Sequence, residues 1–185
     1  RAIKRGTGEL QGADPEEVIY EGYGPGGVAL LVRALTDNRH RTAPFVKELF
    51  EKGGGKAGAP GSVMFQFEHK GRFVISRSII DEESLMNLVL DGGADDMDSS
   101  DPEVFDVTCP FEKFESVKEL LSSKSIRWET AERTYMPTAT QMVDALTARK
   151  IMDLVDSLED LDDVQAVYGN FEIPDEVLAE LATSQ

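Results

Sequence analysis

Residues 71–93 have the sequence GRFVISRSIIDEESLMNLVLDGG, and this stretch shows how the fold is organised. The β-branched and aromatic residues at 73–75 predict a strand. Either Ser78 or Asp81 can cap the helix that follows, and the pair Gly92-Gly93 ends that helix. One face of the helix is apolar and carries Leu85, Leu88 and Val89. The stretch therefore predicts a strand followed by an amphipathic helix.

Residues 94–135 add two short strands, a second helix and a final strand. The short strands are predicted at 94–97 and 104–109, and the final strand at 126–134, with Ile126 and Trp128 on one face. The second helix has apolar residues at helical spacing, namely Phe114, Val117, Leu120 and Leu121. The order β-α-β-β-α-β over residues 71–135 is the split βαβ, or ferredoxin-like, pattern.

The residues before this block begin with a predicted β-hairpin. Strands are predicted at 18–23 and 28–35, where β-branched, aromatic and aliphatic residues dominate. The turn between the two strands consists of Gly24, Pro25, Gly26 and Gly27. The second strand is almost continuously apolar, which predicts a central strand covered on both faces.

A helix and another short strand are predicted after the hairpin. Thr36-Asp37-Asn38 can cap a helix whose apolar spacing begins near Ala43. Pro44 is expected in the first turn of this helix, where a missing N–H has no partner to lose. Gly53-Gly54-Gly55 ends the helix, and the alternation at 63–67 predicts a strand.

The residues after the block supply a long helix following Pro137, a strand at 164–168 and a last short helix that begins at Pro174. Neither flank of the block is large enough to bury a core alone. We therefore predict an α+β protein in which a central α/β domain, residues 18–70 plus 136–185, is interrupted by an inserted ferredoxin-like domain at 71–135. The start of the chain is expected to hold a helix end and a linker.

Charge is distributed unevenly along the sequence. The 185 residues contain 19 Lys/Arg and 35 Asp/Glu, which gives a net charge of −16. Residues 1–80 hold 12 basic and 9 acidic residues, whereas residues 81–185 hold 7 and 26. Because an acidic surface repels phosphate, nucleic-acid contact is expected only through the cations of the first part. The alternative is that these cations only solvate the surface.

Composition excludes several classes of protein. With one cysteine and two histidines, the chain cannot build a Cys/His zinc site or an internal disulfide. No apolar run is long enough to span a bilayer and no signal peptide is visible, so a cytoplasmic location is expected. Cys109, His40 and His69 lie in no nucleophile motif. We expect no enzyme activity, no metal and no cofactor.

Two glycine-rich segments invite a phosphate-binding interpretation. The loop 24–27 leads into a strand instead of a helix, which favours a sterically forced turn. Gly53-Gly54-Gly55, followed by Lys56, is either a helix exit or a phosphate cradle. A calcium loop is not favoured, because the glycine and glutamate that such a loop needs are lacking around the aspartates at 95, 96, 98 and 101.

Several motifs together resemble the YebC/PmpR family, whose relatives include the mitochondrial translational activator of cytochrome c oxidase subunit I. The longest are Arg-Ala-Ile-Lys-Arg-Gly at 1–6, Tyr-Glu-Gly-Tyr-Gly-Pro-Gly-Gly at 20–27, Thr-Asp-Asn-Arg-His-Arg-Thr at 36–42, Gly-Ser-Val at 61–63 and Val-Tyr-Gly-Asn at 167–170. Shorter matches occur at 53–54, 93–96, 136–137 and 158–167. The resemblance spans nearly the whole chain.

The resemblance implies three domains: an N-terminal helical bundle, a central α/β domain and an inserted ferredoxin-like domain. Residues 1–17 would then be a remnant of the basic helical domain and its linker. The resemblance also implies a non-enzymatic regulator of gene expression. That regulator would be a DNA-binding transcriptional regulatory protein or, alternatively, a ribosome-associated translation factor that aids the synthesis of proline-rich stretches. A third interpretation is an acidic protein-interaction module.

The expected partner is nucleic acid, either DNA or ribosomal RNA, bound mainly through the N-terminal domain that this chain lacks. A protein partner is possible for the acidic domain, no membrane contact is expected, and the chain is expected to be a monomer in the cytoplasm, or in an organellar matrix for a eukaryotic source. Arg39 and Arg41 precede a predicted helix N-terminus, which suits phosphate; the alternative is that they pair with Asp37 or Glu48. The full set of candidate contacts is Arg1, Lys4, Arg5, Arg39, Arg41 and Lys56.

Overall fold

The computed structural model describes residues 14–183. The helix end predicted at 1–6 lies outside the described residues. The chain forms two compact units. The first unit combines the residues up to Phe67 with those from Pro137 onward, and the second unit is Glu68–Met136. The second unit thus begins three residues before position 71 and ends one residue after position 135.

Helices and strands are mixed in both units, which makes the fold α+β. In chain order the elements are β1 (Glu16–Tyr23), β2 (Ala29–Thr36), α1 (Arg39–Lys52), β3 (Lys56–Gly58), β4 (Phe67–Ser76), α2 (Glu82–Asp91), β5 (Asp96–Asp98), β6 (Val104–Pro110), α3 (Phe114–Ser123), β7 (Thr130–Pro137), β8 (Gln141–Met142), α4 (Ala145–Glu159), β9 (Val164–Gly169), β10 (Phe171–Glu172) and α5 (Asp175–Thr183).

The first unit is built on a four-stranded sheet with the order β3-β1-β2-β9. All neighbouring strands in this sheet are antiparallel, and the hairpin register places Val18 opposite Ala34. Strand β9 pairs with the other edge of β2, where Leu31 lies opposite Tyr168. The two segments that flank the second unit therefore share one sheet.

The core of the first unit lies between one face of this sheet and the helices α1 and α4. Alternate residues of the hairpin and one stripe of each helix are buried there: Val28, Leu30, Val32, Val46, Phe50, Ile151, Leu154 and Leu158. Helical spacing alone overestimates this core. Phe45 is 54% exposed and Leu146 is 65% exposed, although both fit the apolar pattern of their helices.

The second unit has the strand order β5-β6-β4-β7, which is the ferredoxin-like arrangement. Of the two predicted caps of α2, Asp81 is the one used, since its carboxylate accepts the Ser84 amide at 3.0 Å. Helices α2 and α3 cover one face of the sheet and contribute Leu85, Val89, Val117 and Leu121 to the core.

The strand predicted at 63–67 is wrong. Met64–Gln66 is a short 3₁₀ turn, and strand pairing begins only at Phe67. The amides of Val63 and Met64 donate to the carboxylate of Glu21, at 2.9 and 2.7 Å, so they are not available to a neighbouring strand. The short edge strand β3, which the sequence pattern does not reveal, pairs with β1 instead.

Two strands of the second unit begin later than predicted. Strand β7 begins at Thr130 and not at 126, because the amide of Ile126 donates to Leu121 O at 2.9 Å and closes the end of α3. Ser125, with a φ of 59°, makes that reversal possible. Ile126 is still buried, so its apolar character reflects core packing from a loop. Strand β5 begins at Asp96, two residues after the predicted start.

Two helices of the first unit also differ from the prediction. Helix α1 begins at Arg39, which places Pro44 in its second turn instead of its first. Helix α4 does not follow Pro137 directly but begins at Ala145, where Asp144 caps it by accepting the Thr147 amide at 2.8 Å. Strand β8 occupies part of the intervening segment and pairs in parallel with β10.

Candidate nucleic-acid interface

Helix α1 begins with Arg39, His40 and Arg41. The side chain of Asn38 caps the helix by accepting the Arg41 amide at 3.2 Å. The two candidate arginines therefore lie in the first helical turn instead of before it, and both side chains are more than half exposed. Since the N-terminal end of a helix attracts anions, the start of α1 is suited to a phosphate group.

Carboxylates already pair with both arginines. Arg39 Nε lies 3.4 Å from Glu16 Oε1. Arg41 Nη2 lies 3.1 Å from Asp37 Oδ1 and 3.5 Å from Asp163 Oδ2. Exposed pairs of this kind contribute about 0–1 kcal/mol. A phosphate could therefore displace these carboxylates at small cost, but each arginine has an intramolecular role without any ligand.

Buried threonines hold the start of α1 from behind. Thr42 Oγ1 donates to Asp163 Oδ2 at 2.7 Å and lies 2.9 Å from Thr36 Oγ1. Thr36 Oγ1 also accepts the Asn38 amide at 3.0 Å. The motif at 36–42 thus fixes α1 against the loop before β9. Asp163 lies in the motif segment 158–167, but it is 121 residues from Thr42 in sequence, and no local pattern predicts the contact between them.

Lys56 lies at the other end of the first unit. It is the register partner of Tyr23, next to the hairpin turn, whereas Arg39 and Arg41 lie at the opposite end of α1. A helix of 14 residues separates its ends by about 20 Å. The structure therefore does not bring Lys56 together with the two arginines. The remaining candidates, Arg1, Lys4 and Arg5, lie outside the described residues.

The glycine-rich loop between β1 and β2 uses its own backbone groups. Gly24 N donates to Val28 O at 2.8 Å, and Gly27 N donates to Gly24 O at 3.0 Å. Gly26 and Gly27 have φ angles of 74° and 76°, a region that glycine adopts without strain. A phosphate cradle needs free amides at a helix N-terminus. This loop has engaged amides and leads into β2, which is the geometry of a forced turn.

The exit of α1 packs tightly on this turn. A Cβ atom on Gly55 would lie 2.1 Å from Tyr23 O and 3.0 Å from Gly24 Cα. The amide of Gly55 donates to Phe50 O at 2.8 Å. The segment 53–55 therefore ends the helix and lets two backbones approach each other, and this arrangement favours the helix-exit interpretation over a phosphate cradle.

Glu21 is a buried carboxylate in the middle of β1, only 5% exposed. Its Oε2 accepts the Gly61 amide at 2.7 Å, and its Oε1 accepts the amides of Val63 and Met64. Charge-assisted bonds of this type are the stronger class of hydrogen bond. Glu21 therefore fastens the loop 59–66 to the sheet. Glu21 follows the apolar run Val18–Tyr20 of β1, and an acidic residue directly after such a run is the signal in the sequence that could have identified it.

Three polar side chains, Tyr23, Gln66 and Asn170, form a network at the hairpin turn, and a fourth, Gln141, bonds to the backbone of the turn. Asn170 Oδ1 accepts the Ala29 amide at 2.8 Å, and its Nδ2 lies 3.5 Å from Gln66 Oε1. Gln66 Nε2 donates to Tyr23 Oη at 3.0 Å, and Gln141 Nε2 donates to Gly26 O at 2.8 Å. The motif segments near 20–27, 61–63 and 167–170 thus converge at one end of the sheet.

Among residues 14–183, no group of three or more His, Cys, Asp or Glu side chains is placed to hold a metal ion. Within the same range, no helix is long and apolar enough to cross a membrane. Cys109 is fully buried, and this burial raises the pKa of its thiol.

Cys109 is accordingly expected to resist thiol reagents. The thiolate is the reactive form, so a buried thiol with a raised pKa should react at least about tenfold more slowly in the folded protein than in denaturant. Labelling with a chromogenic disulfide reagent measures this rate. Ser123→Cys is the control, since position 123 is exposed at the end of α3 and its thiol should react quickly. Equal rates at both positions would contradict the burial of Cys109.

Both units are acidic once the chain is folded. The described part of the first unit has 8 Lys/Arg and 18 Asp/Glu, and the second unit has 8 and 16. The contrast between residues 1–80 and 81–185 therefore disappears in the fold, because the acidic residues of α4 and α5 belong to the same unit as α1. Further cations are paired as well, such as Lys52 with Glu48 at 3.2 Å.

Comparison with known proteins identifies the family of this chain. A family model described as the second and third domain of TACO1/YebC matches residues 15–171. This chain belongs to the YebC/PmpR family. The resemblance inferred from the motifs is thereby confirmed. Several of the motif segments, at 20–27, 61–63 and 167–170, meet near the hairpin turn, and the segment 36–42 contains the start of α1.

Several members of the family are similar over nearly the whole chain. A protein of Sulfurihydrogenibium, named a probable transcriptional regulatory protein, is 47% identical over 98% of this chain and 72% of its own length. The transcriptional regulatory protein PmpR of Pseudomonas aeruginosa is 46% identical over 98% of this chain and 73% of its own length. The crystal structure of a conserved hypothetical protein of Aquifex aeolicus superposes with a TM-score of 0.79 at 44% identity, covering 92% of this chain and 70% of that one.

Proposed function

We propose that this chain is part of a non-enzymatic regulator of gene expression, whose described part adds few nucleic-acid contacts of its own. The family relationship supports the regulatory role, since relatives such as PmpR are named transcriptional regulatory proteins. The claim that the described part adds few nucleic-acid contacts rests on the net charge of the two folded units. Both units are net acidic, and the arginines at the start of α1 are already paired with carboxylates.

Regulation of transcription through DNA is the first form of this proposal. In that form, the start of α1 is the contact supplied by the described part, because Arg39 and Arg41 stand exposed at a helix N-terminus. The larger share of the binding free energy then comes from a basic domain outside this chain. Because most of the binding free energy comes from that domain, the 185-residue chain alone should bind duplex DNA weakly at about 150 mM salt.

A ribosome-associated translation factor is the second form, and the surface of the C-terminal helices favours it. Of the 15 exposed residues of α4 and α5, six are carboxylates and two are cations, so this surface is net acidic and repels a phosphate backbone. An acidic surface of this kind suits contact with basic proteins instead. A protein of this family that includes the N-terminal domain should then sediment with ribosomes more strongly than it binds promoter DNA.

One experiment separates the two forms and tests the proposal itself. We call the form that also includes the N-terminal domain the longer protein. Its ribosome co-sedimentation and its promoter binding are compared with those of the 185-residue chain. Binding of the longer protein to one target, with weak binding by the chain alone, is the expected result. Tight binding of duplex DNA by the 185-residue chain would refute the statement about its nucleic-acid contacts, and failure of the longer protein to bind either target would refute the regulatory role.

Replacing both Arg39 and Arg41 with alanine tests the start of α1. In the longer protein, the change should weaken nucleic-acid or ribosome binding and make the salt slope shallower by about one unit per lost phosphate contact. The melting temperature should hardly change, because the ion pairs that are lost are exposed. Lys47→Ala in the same helix is the control. An unchanged salt slope would show that the two arginines serve only their intramolecular pairs.

A further inference from the structure

An open cleft lies at the C-terminal end of α3, in the second unit. It has a volume of about 380 Å³, and the residues that line it are Ser122, Ser125, Ile126, Arg127 and Trp128. Binding sites for small molecules have volumes of about 300–1,000 Å³ and combine apolar walls with a few polar groups. Here the isoleucine and the tryptophan form the apolar wall, and no carboxylate is among the lining residues. We call this cavity the α3 cleft.

Hydrogen bonds hold both ends of the loop that forms the α3 cleft. The amide of Ile126 donates to Leu121 O at 2.9 Å at the end of α3, and the amide of Glu129 donates to Val74 O at 2.7 Å on strand β4. Between these two points, Ile126 is buried and Trp128 packs against the core of the second unit. The shape of the cleft is therefore set before a ligand arrives, so a ligand need not order the loop.

Arg127 is available to a ligand. Residues 14–183 contain eight arginines, and Arg127 is the one among them with no ion pair, hydrogen bond or ring contact. Its side chain is exposed, and the hydroxyl groups of Ser122 and Ser125 also have no hydrogen-bond partner within the described range. Guanidinium and hydroxyl groups are donors that bind the oxygen atoms of an anion. The α3 cleft therefore offers unengaged donors to an anionic ligand.

The charge around the α3 cleft differs from that of the rest of the second unit. The unit holds 8 Lys/Arg and 16 Asp/Glu, but residues 122–128 include two cations, Lys124 and Arg127, and no carboxylate. A helix C-terminus by itself disfavours an anion, because its last carbonyl oxygens carry partial negative charge. At the end of α3, however, the carbonyl oxygens of residues 120–122 already accept backbone amides of the loop and are not free acceptors. A small anion is therefore tolerated here, whereas a polyanion would extend onto the acidic remainder of the unit.

We propose that the α3 cleft binds a nucleoside monophosphate, with its phosphate on Arg127, Ser122 and Ser125 and its base against Trp128. Bases stack on aromatic rings and on guanidinium planes. The guanidinium fork also matches two phosphate oxygens, and a monophosphate carries about −2 charges at neutral pH, which the two cations of the loop balance. The ligand is a single nucleotide because the acidic unit repels the further phosphates of an RNA. This inference goes beyond the regulatory role, since it adds a small-molecule site to the second unit.

Intrinsic fluorescence tests the proposal, because Trp128 is the only tryptophan of the 185 residues and lines the cleft. The purified chain is titrated with AMP, GMP, CMP and UMP, and free N-acetyltryptophanamide is titrated in parallel to correct for absorption by the bases. A saturable change with at least one monophosphate is expected, with the matching nucleoside and inorganic phosphate binding at least about tenfold more weakly. No saturable change with any of the four would refute the site. Tighter binding of a single-stranded oligoribonucleotide than of the monophosphate would also overturn the proposal, since the ligand would then be RNA.

Variants of Arg127 give a second measurement. Arg127→Ala should weaken the affinity for the monophosphate at least about tenfold, and Arg127→Lys should fall between this variant and the parent, because it keeps the charge but loses the fork. The control is Lys113→Ala, which removes the same charge from the same unit at the other end of α3 and should leave the affinity unchanged. The melting temperature of Arg127→Ala should match the parent, since the side chain is exposed and unpaired. Unchanged affinity in Arg127→Ala, or an equal loss in Lys113→Ala, would refute a specific phosphate contact in the α3 cleft.

Discussion

Replacing Glu21 with alanine is expected to destabilise the first unit by about 3 kcal/mol or more. The change removes the acceptor for three backbone amides, and Val63, which supplies one of them, is fully buried. A buried donor left without a partner costs about 1–3 kcal/mol, and bonds to a charged acceptor lie at the upper end of the usual range. Even if the loop 59–66 relaxes to let water reach two of these amides, much of the loss remains.

Hydrogen exchange measures this effect best, because the protein has two units and need not unfold in one step. The amides of Gly61, Val63 and Met64 should lose protection first in Glu21→Ala. Glu21→Gln keeps an acceptor oxygen and should fall between the parent and the alanine variant. Glu17→Ala, on the same strand, removes only an exposed contact with Arg33 at 3.6 Å and should cost less than about 1 kcal/mol. Equal losses for Glu17→Ala and Glu21→Ala would show that the buried carboxylate does not hold the loop.

Local chemistry made several elements predictable from the sequence. In the second unit, Asp81 and Gly92 mark the two ends of α2, and apolar spacing identifies the side that faces the core. The β1–β2 hairpin is likewise predictable, because Gly26 and Gly27 permit the turn between two apolar strands. In each case the residues that decide the structure are close together in the chain.

Long-range contacts explain where the sequence was misleading. Apolar and polar residues do alternate at 63–67, as in a strand. The amides of Val63 and Met64, however, donate to the carboxylate of Glu21, more than 40 residues earlier, and cannot pair with a neighbouring strand. The difference in net charge between residues 1–80 and 81–185 was equally misleading. The acidic helices α4 and α5 belong to the same unit as α1, so that unit is acidic as a whole. A window of neighbouring residues holds no information about such partners.

In the candidate site, too, local features were predictable and long-range contacts were not. The exposed arginines at the start of α1 were identifiable, because charge and helix capping are local properties. The position of Lys56 at the opposite end of the first unit was not, since it depends on the path of the whole helix. Asn170, which is 141 residues from the Ala29 amide that it accepts, belongs to a motif of the family, but its role becomes visible only in the folded chain.

Replacing Gly55 with alanine is expected to have the other large effect, a destabilisation of about 3 kcal/mol or more. The new Cβ would lie 2.1 Å from Tyr23 O and 3.0 Å from Gly24 Cα, so it would collide with backbone and not with a flexible side chain. Overpacking of a tightly packed site costs about 1–3 kcal/mol, and more when the neighbouring backbone must shift. Urea unfolding and the exchange of the Gly24 and Gly27 amides measure the loss.

Gly27→Ala is the matched control, because it alters the same glycine-rich region without a collision. Gly27 has a φ of 76°, and no atom lies within 4 Å of a Cβ built there. Gly27→Ala should lower the free energy of unfolding by only about 1–2 kcal/mol, the cost of holding an alanine in the left-handed backbone conformation. The comparison also decides why glycine is needed near the turn. If the glycines serve close packing, Gly55→Ala should lower stability more than Gly27→Ala. If they served to bind phosphate, the exposed Gly27 would be the more sensitive position, in binding and not in stability.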